Sequence, residues 1–364
     1  MNSDRIIISG GGTAGHLFPA LALGGKLLDK APAAAITYIG SHRSLERQIM
    51  QRHRVDFIPL RIEGLKGRGW KTLRALWLLP GAFWRSFRLL RRLRPRLVVG
   101  VGGYSAGPVV LLASWMKIPT LILEQNRRPG FTNRLLLRFV DRAVAAFESS
   151  LPEFKGKGVF LGTPVREEFT HLPTKVRSHR LTLLIFGGSQ GSHFLNQAMM
   201  ASLPLLKDLR DRVHIFHQTG KKDLAWVRES YDRYGMNDAI VSDFFYDIAQ
   251  YFQKSDLIIC RAGASTVAEL IAARKASLLV PFAAAADDHQ TQNAREVEQA
   301  GGAEVLTERE FTPEAFSGRI KDLIVDKAAI TRMEKNLNRL RTQGAADRIA
   351  DLCLDLMQRR SRRG

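Results

Sequence analysis

Four glycine-rich stretches carry most of the chemistry that this sequence could perform. The first, IIISGGGTAGH, sets Gly10, Gly12 and Gly15 in a G-x-G-x-x-G spacing between an apolar run and a helix-like pattern that resumes after Pro19. The others are VGVGGYSAGPV, LLIFGGSQGSHFLN and CRAGASTVAEL, and each again joins an apolar run to a helical pattern. Glycines let backbone N–H groups approach a ligand, and a helix N-terminus carries partial positive charge, so each loop suits phosphate oxygens. His16 follows Gly15 directly at such a helix start. A helix end of this polarity favours the neutral imidazole, which can accept a proton near pH 7. The same position also suits a hydrogen bond to a bound diphosphate, or a helix cap.

Loops of this kind need strands to launch them and helices to receive them. The pattern predicts strands at residues 6–9, 36–39, 97–101, 120–124 and 143–146, then at 181–186, 213–218, 240–242, 257–260 and 276–280. Helical patterns at 21–30, 107–116, 133–140, 194–202 and 267–273 separate them. Such alternation implies an α/β protein with doubly wound parallel sheets covered on both faces. The pattern restarts after LGTPVREEF, so two Rossmann-like domains are expected, at 1–162 and 163–344, with Pro164 stiffening the joint near Thr163. A helix at 345–358 is expected to pack back on the first domain, and the basic tail 359–364 to be disordered. Two such units on one linker usually bind a ligand in the cleft between them.

Composition narrows the class. The net charge is +20, and residues 1–162 hold 26 Lys and Arg against 9 Asp and Glu, which points to a polyanionic partner for that half. No stretch is apolar and long enough to span a bilayer, and the N-terminus lacks the pattern of a signal peptide. Cys260 and Cys353 have neither metal-ligand nor redox spacing, so a cytoplasmic setting is expected. No helix-turn-helix, zinc or RNA-binding signature supports nucleic acid as the partner.

A dinucleotide enzyme normally carries an acid at the end of its second strand, where this chain reads Ser41, His42 and Arg43. Arg43 suits a 2′-phosphate, which keeps an NADP oxidoreductase as an alternative. Four glycine loops at corresponding strand ends of paired domains point instead to a diphosphate held between them. With no dinucleotide acid, that diphosphate belongs to a nucleotide-sugar.

The motifs GGGTAGHLFPALALG, GVGGYSAGP, LEQNRRPGFTNR, GTPVR, FGGSQGSHFLN, CRAGASTVAEL and PFAAAADDHQTQNA occur in the order and spacing of one family. Over nearly its whole length the chain resembles the MurG family of UDP-N-acetylglucosamine-dependent N-acetylglucosaminyltransferases, in glycosyltransferase family 28. The resemblance implies the GT-B fold and an inverting transfer of N-acetylglucosamine from UDP to the 4-hydroxyl of the muramoyl sugar of lipid I, giving lipid II in peptidoglycan synthesis. It implies no cofactor beyond UDP-GlcNAc as co-substrate. No Asp-x-Asp pair stands near a strand end, and no metal is expected.

Carried onto this sequence, the resemblance puts Thr13, Ala14, Gly15, Asn126 and Arg166 against the donor. Ser189, Phe245, Ala264, Ser265, Thr266, Val267, Ala268, Glu269 and Gln290 join them from the second domain. Ser189 and the GASTVAE loop would hold the departing diphosphate. Glu269 suits two ribose hydroxyls, or else is a solvated helix residue. Phe245 resembles a position whose main chain meets the uracil edge, and Gln290 suits sugar hydroxyls. Three departures from the family pattern stand out. Leu123 replaces a histidine, which leaves His16 and Glu124 as candidate bases. Thr163 replaces an asparagine, and alanines fill the loop before Asp287.

Residues 64–96 hold ten Lys and Arg and no acid, with Trp70, Trp77 and Trp84 seven apart. Pro80-Gly81 is expected to divide this stretch into two pieces. Part of it must face the domain core. The rest, with Arg85 and Arg88, suits an interfacial patch for anionic inner-leaflet lipid, which with Gly102, Gly103 and Tyr104 would form the acceptor side. Peripheral attachment to the cytoplasmic face of the membrane follows, with lipid I and other cell-wall synthesis proteins as partners. Another GT-B UDP-sugar enzyme, such as a UDP-GlcNAc 2-epimerase, and a basic nucleic-acid-binding protein are the remaining alternatives.

Overall fold

The computed structural model describes residues 4–11, 14–42, 44–62, 70–173, 175, 178–188 and 190–361. The chain forms two compact units, one of Met1–Arg166 with Thr342–Gly364, the other of Glu167–Arg341. Each is built on one parallel sheet.

Unit 1 contains β1 (Arg5–Ser9), β2 (Ala35–Ser41), β3 (Asp56–Leu60), β4 (Leu97–Gly100), β5 (Thr120–Glu124), β6 (Arg142–Ala145) and β7 (Gly158–Phe160). Its helices are α1 (Ala14–Lys30), α2 (Ser44–Arg52), α3 (Trp70–Leu93), α4 (Ala106–Trp115), α5 (Phe131–Leu136) and the C-terminal helix Ala345–Ser361. The sheet runs β3-β2-β1-β4-β5-β6-β7. Because both faces are covered, β1 reads as unbroken Ile6-Ile7-Ile8. Ile6 and Ile8 pack with Leu17, Leu23 and Leu27 of α1 and with Ile349 and Cys353 of the C-terminal helix. Ile7 faces the other layer, with Leu90 of α3 and Val109 and Val110 of α4.

Unit 2 contains β8 (Leu181–Phe186), β9 (Val213–Gln218), β10 (Ile240–Ser242), β11 (Leu257–Cys260), β12 (Ser277–Leu279) and β13 (Ala303–Val305), in the order β10-β9-β8-β11-β12-β13. Its helices are α6 (His193–Leu206), α7 (Leu224–Arg233), α8 (Ile248–Lys254), α9 (Ala264–Ala273), α10 (His289–Gln299), α11 (Pro313–Val325) and α12 (Lys327–Asn336). Leu183 and Ile185 of β8 share a core with Leu195, Met199 and Leu203 of α6 and with Ile320 of α11.

Several expectations need correction. β3, β7 and β13 are additional strands, and all three lie at sheet edges. α1 starts at Ala14, seven residues before the expected position, with Pro19 inside it. α3 runs unbroken through Pro80, which removes one backbone donor but does not outweigh the packing of Ala82 and Leu90 into the core. The C-terminal helix continues to Ser361, so residues 359–361 belong to it and not to a disordered tail, while residues 362–364 lie outside the described residues.

Candidate functional site

In unit 1 the strand order reverses direction between β1 and β4, so the loops after these strands open at the same sheet end. They meet through backbone. Gly11 N–H donates to Gly102 O at 3.3 Å, and Gly10 N–H to Ile39 O at 2.9 Å. Gly103, at φ +79°, approaches so closely that a Cβ there would lie 2.1 Å from Gly11 O. Half-buried His16 lays its Cδ2–Nε2 edge over Gly102, where an added Cβ would stand 2.9 Å from both atoms. Pro19 has no N–H to give, so the Gly15 carbonyl lacks its usual helical donor at this helix start. Thr13 lies outside the described residues, as does the side chain of Ala14.

Glu124 is buried at the end of β5, and both its oxygens are occupied. One accepts from Asn126 N–H and Asn126 Nδ2, each at 3.0 Å. The other accepts from Gly130 N–H at 2.9 Å and Asn133 Nδ2 at 2.8 Å. A carboxylate offers about four lone-pair positions. Glu124 therefore clasps the 125–133 loop and has no lone pair left over for a substrate proton, which turns it from a candidate base into a scaffold for Asn126. Arg166 sets its guanidinium 4.5 Å over the Phe18 ring.

Glu46 has a place that the motif spacing did not reveal. It is 2 % exposed, accepts Ser41 N–H at 3.0 Å and the Ser41 hydroxyl, and lies directly against Gly11 and Gly40. A phosphate seated on the first glycine loop would face this buried carboxylate. That disfavours the NADP reading, whose Arg43 lies outside the described residues. The one sequence signal was an acid in the first turn of the helix after β2.

In unit 2 the order reverses between β8 and β11, and the loops after both strands lead into helix starts. Gly188 and Gly191 adopt φ +96° and +75°, and a Cβ on Gly191 would lie 2.1 Å from Thr219 O. Gln218 links this loop to Phe245: its Nε2 donates to Gly188 O at 2.9 Å, and its Oε1 accepts Phe245 N–H at 2.8 Å. The Phe245 amide is therefore already engaged, which leaves its carbonyl for a base edge, while its ring stacks on Tyr251 with centroids 3.9 Å apart. An open hollow of about 410 Å³ lies beside it, lined in part by Phe244, Tyr246 and Tyr251. Ser189 lies outside the described residues.

At α9, Gly263 is extended and Val267 N–H makes the first helical bond, to Gly263 O at 2.9 Å. The N–H groups of Ala264, Ser265 and Thr266 precede that bond and form the anion-facing end of the helix. Val267 is fully buried, so its side chain serves the core, and Ala268 is half-buried. Glu269 is 7 % exposed, which overturns the alternative of a solvated helix residue. Gln290 uses Oε1 to accept Phe282 N–H at 3.0 Å, folding the loop that reaches α10 through left-handed Asp287 and Asp288.

Two buried groups brace these loops. Arg261 donates to Ser192 Oγ, the N-cap of α6, at 3.2 Å, and to Val280 O and Pro281 O at 3.1 and 3.2 Å. Burial lowers its pKa, opposed by Glu308 at 2.6 Å. His217, fully buried, meets Tyr231 OH at 2.9 Å and Asn196 Oδ1 at 3.0 Å. Burial pulls its pKa down to about 3, with Asp223 opposing. The neutral ring must carry its proton on Nε2, since Asn196 Oδ1 can only accept.

Among the described residues, no group of three or more His, Cys, Asp or Glu is arranged to hold a metal ion. Of the aromatics in the basic segment, Trp84 is 62 % exposed, with Arg88 stacked 4.7 Å over it; the side chains of Trp70 and Trp77 lie outside the described residues.

Two parallel α/β units with glycine loops at their strand reversals define a protein of the GT-B fold class. The solved structure of MurG from Acinetobacter baumannii matches with a TM-score of 0.79 at 29% identity, over 97% of this chain and 99% of that one. Residues 6–145 match the glycosyltransferase family 28 N-terminal domain, and residues 182–349 its C-terminal domain. The UDP-N-acetylglucosamine–N-acetylmuramyl-(pentapeptide) pyrophosphoryl-undecaprenol N-acetylglucosamine transferase of Anaeromyxobacter dehalogenans is 42% identical over 98% of this chain and 94% of its own length. The chain belongs to glycosyltransferase family 28. A UDP-GlcNAc 2-epimerase from Neisseria meningitidis, solved with UDP-GlcNAc, shares the fold alone, at 14% identity and a TM-score of 0.68 over 96% of this chain and 100% of that one.

Proposed function

We propose that the chain transfers N-acetylglucosamine from UDP-GlcNAc to the 4-hydroxyl of the muramoyl sugar of lipid I, with inversion, forming lipid II. The observation that carries this reading is 42% identity along almost the whole chain to a transferase of that name. The acceptor oxygen attacks the anomeric carbon, the bond from that carbon to the diphosphate oxygen breaks, and its electron pair leaves with UDP. His16 takes the hydroxyl proton as that bond forms. Asn126, held by Glu124, and Arg166, resting on Phe18, contact the donor from unit 1.

Unit 2 supplies the nucleotide site. Ser189, the 187–191 loop and the first N–H groups of α9 receive the diphosphate, so developing charge meets preorganised donors and needs no metal. Glu269 takes the ribose hydroxyls, the Phe245 carbonyl meets the uracil, and Gln290 meets the sugar. Unit 1 carries the acceptor and membrane side. Arg85, Arg88, Arg91 and Arg92 are all exposed on α3 beside Trp84 and Phe87. Trp115 of α4 and Phe131 and Leu135 of α5 are exposed on the helices packed next to α3 in succession. Among the described residues no helix is long and apolar enough to cross a membrane. A basic rim around apolar side chains suits peripheral attachment to an anionic leaflet.

The test is a reaction of labelled UDP-GlcNAc with a short-chain lipid I analogue. Formation of UDP and the disaccharide product supports the reading. Epimerisation of UDP-GlcNAc without transfer would replace it with the 2-epimerase alternative.

A further inference from the structure

Gln125 stands between Glu124 and Asn126 and is 2 % exposed. Its Nε2 donates to Val101 O at 3.1 Å. A carbonyl can only accept, so this bond fixes which end of the amide is nitrogen and which is oxygen. Oε1 is buried and has no hydrogen-bond partner among the described residues. It faces Gly102: a Cβ built there would lie 3.7 Å from Gln125 Oε1 and 2.9 Å from both Nε2 and Cδ2 of His16. The unpaired oxygen and the nitrogen-bearing edge of the imidazole thus converge on one glycine. Gly102, at φ +91°, keeps that space open.

We propose that Gln125 is the positioning residue for His16: a small movement of either side chain toward the other, over Gly102, lets Oε1 accept the Nε2–H of the neutral ring. That bond leaves the lone pair on Nδ1 and fixes the ring as proton acceptor. A buried acceptor without a donor is unfavourable, so the pairing also satisfies Oε1. The other titratable groups on the elements packed here include Glu124, Glu46 and Tyr104. Glu124 is turned into the 126–133 loop, Glu46 lies on the Gly11 and Gly40 side, and Tyr104 is a half-buried phenol on the Gly102 loop. The inference rests on His16 being the base.

The experiment is the pH dependence of kcat/KM for the parent, Gln125→Glu, Gln125→Met and His16→Ala, with UDP affinity measured on each by calorimetry. UDP affinity within twofold of the parent reports an intact donor unit. In Gln125→Glu the added carboxylate should raise the His16 pKa, moving the acid limb of the profile upward by about one pH unit. Gln125→Met, near in size but unable to accept strongly, should lower kcat about tenfold at unchanged donor KM. An acid limb that stays in place in Gln125→Glu, or full kcat in Gln125→Met, overturns the role of Gln125. If His16→Ala itself keeps the acid limb and most of the activity, the reading of His16 as base fails instead.

Discussion

Replacing Glu124 with glutamine separates a scaffold from a base. Each carboxylate oxygen accepts two N–H donors, from Asn126 twice and from Gly130 and Asn133. Glutamine converts one oxygen into an NH₂ group, and whichever end it occupies, two donors then face a donor. Hydrogen bonds to a charged acceptor contribute about 1.5–3 kcal/mol each, so losing two destabilises by about 3–6 kcal/mol. For a unit of this size that lowers Tm by about 2–4 °C per kcal/mol. The expected outcome of Glu124→Gln is a lower melting temperature and lower kcat together, with the acid limb of the residual activity unmoved. Differential scanning calorimetry and a pH–rate profile would measure both. A variant as stable as the parent but without turnover would refute the clasp and restore Glu124 as the base.

Glu269→Ala should weaken UDP-GlcNAc binding by about 1–3 kcal/mol, read by calorimetry, and unchanged affinity would remove this residue from the site. Replacing Arg85, Arg88, Arg91 and Arg92 with glutamine should lower affinity for anionic vesicles by about 1 kcal/mol per charge, while sparing turnover of a short-chain acceptor. Vesicle flotation at low and high salt checks this, since screening weakens the parent more than the variant. Turnover should survive EDTA; loss of activity restored by magnesium would show a metal requirement. His217 has a folded pKa near 3 against an ordinary 6.5, so between these values the unfolded chain binds a proton that the folded one does not. Stability should therefore fall as pH drops below about 6.5, by at most about 1.4 kcal/mol per pH unit. Urea midpoints from pH 7 to 4 should show this component in the parent and not in His217→Gln.

The central strands were legible because sheets covered on both faces demand apolar runs such as Ile6–Ile8 and Leu181–Phe186. The three strands that escaped notice are edge strands. Two of them, Gly158–Phe160 and Ala303–Val305, are only three residues long, and β3 includes Pro59, which an edge position tolerates. Glycine loops and His16 stood out because their chemistry is local in sequence. Glu46 and Gln125 did not, because what defines them is a fit against Gly11 and Gly102, brought near only by strand pairing. Proline hides continuity in the sequence: α1 begins before Pro19 and α3 is undivided at Pro80, since core packing outweighs one missing donor.

The return of residues 345–361 to unit 1 sets an order on folding. Unit 2 is one continuous stretch, Glu167–Arg341, and can close as soon as it has been synthesised. Unit 1 begins first but lacks Ile349, Ala350 and Cys353 from its core until the last segment arrives, and so it finishes last. Until then the α1 face stays partly uncovered, with Leu23 and Leu27 open to wrong partners or to chaperones. A chain cut at residue 342 should hold a closed second unit and an incomplete first one.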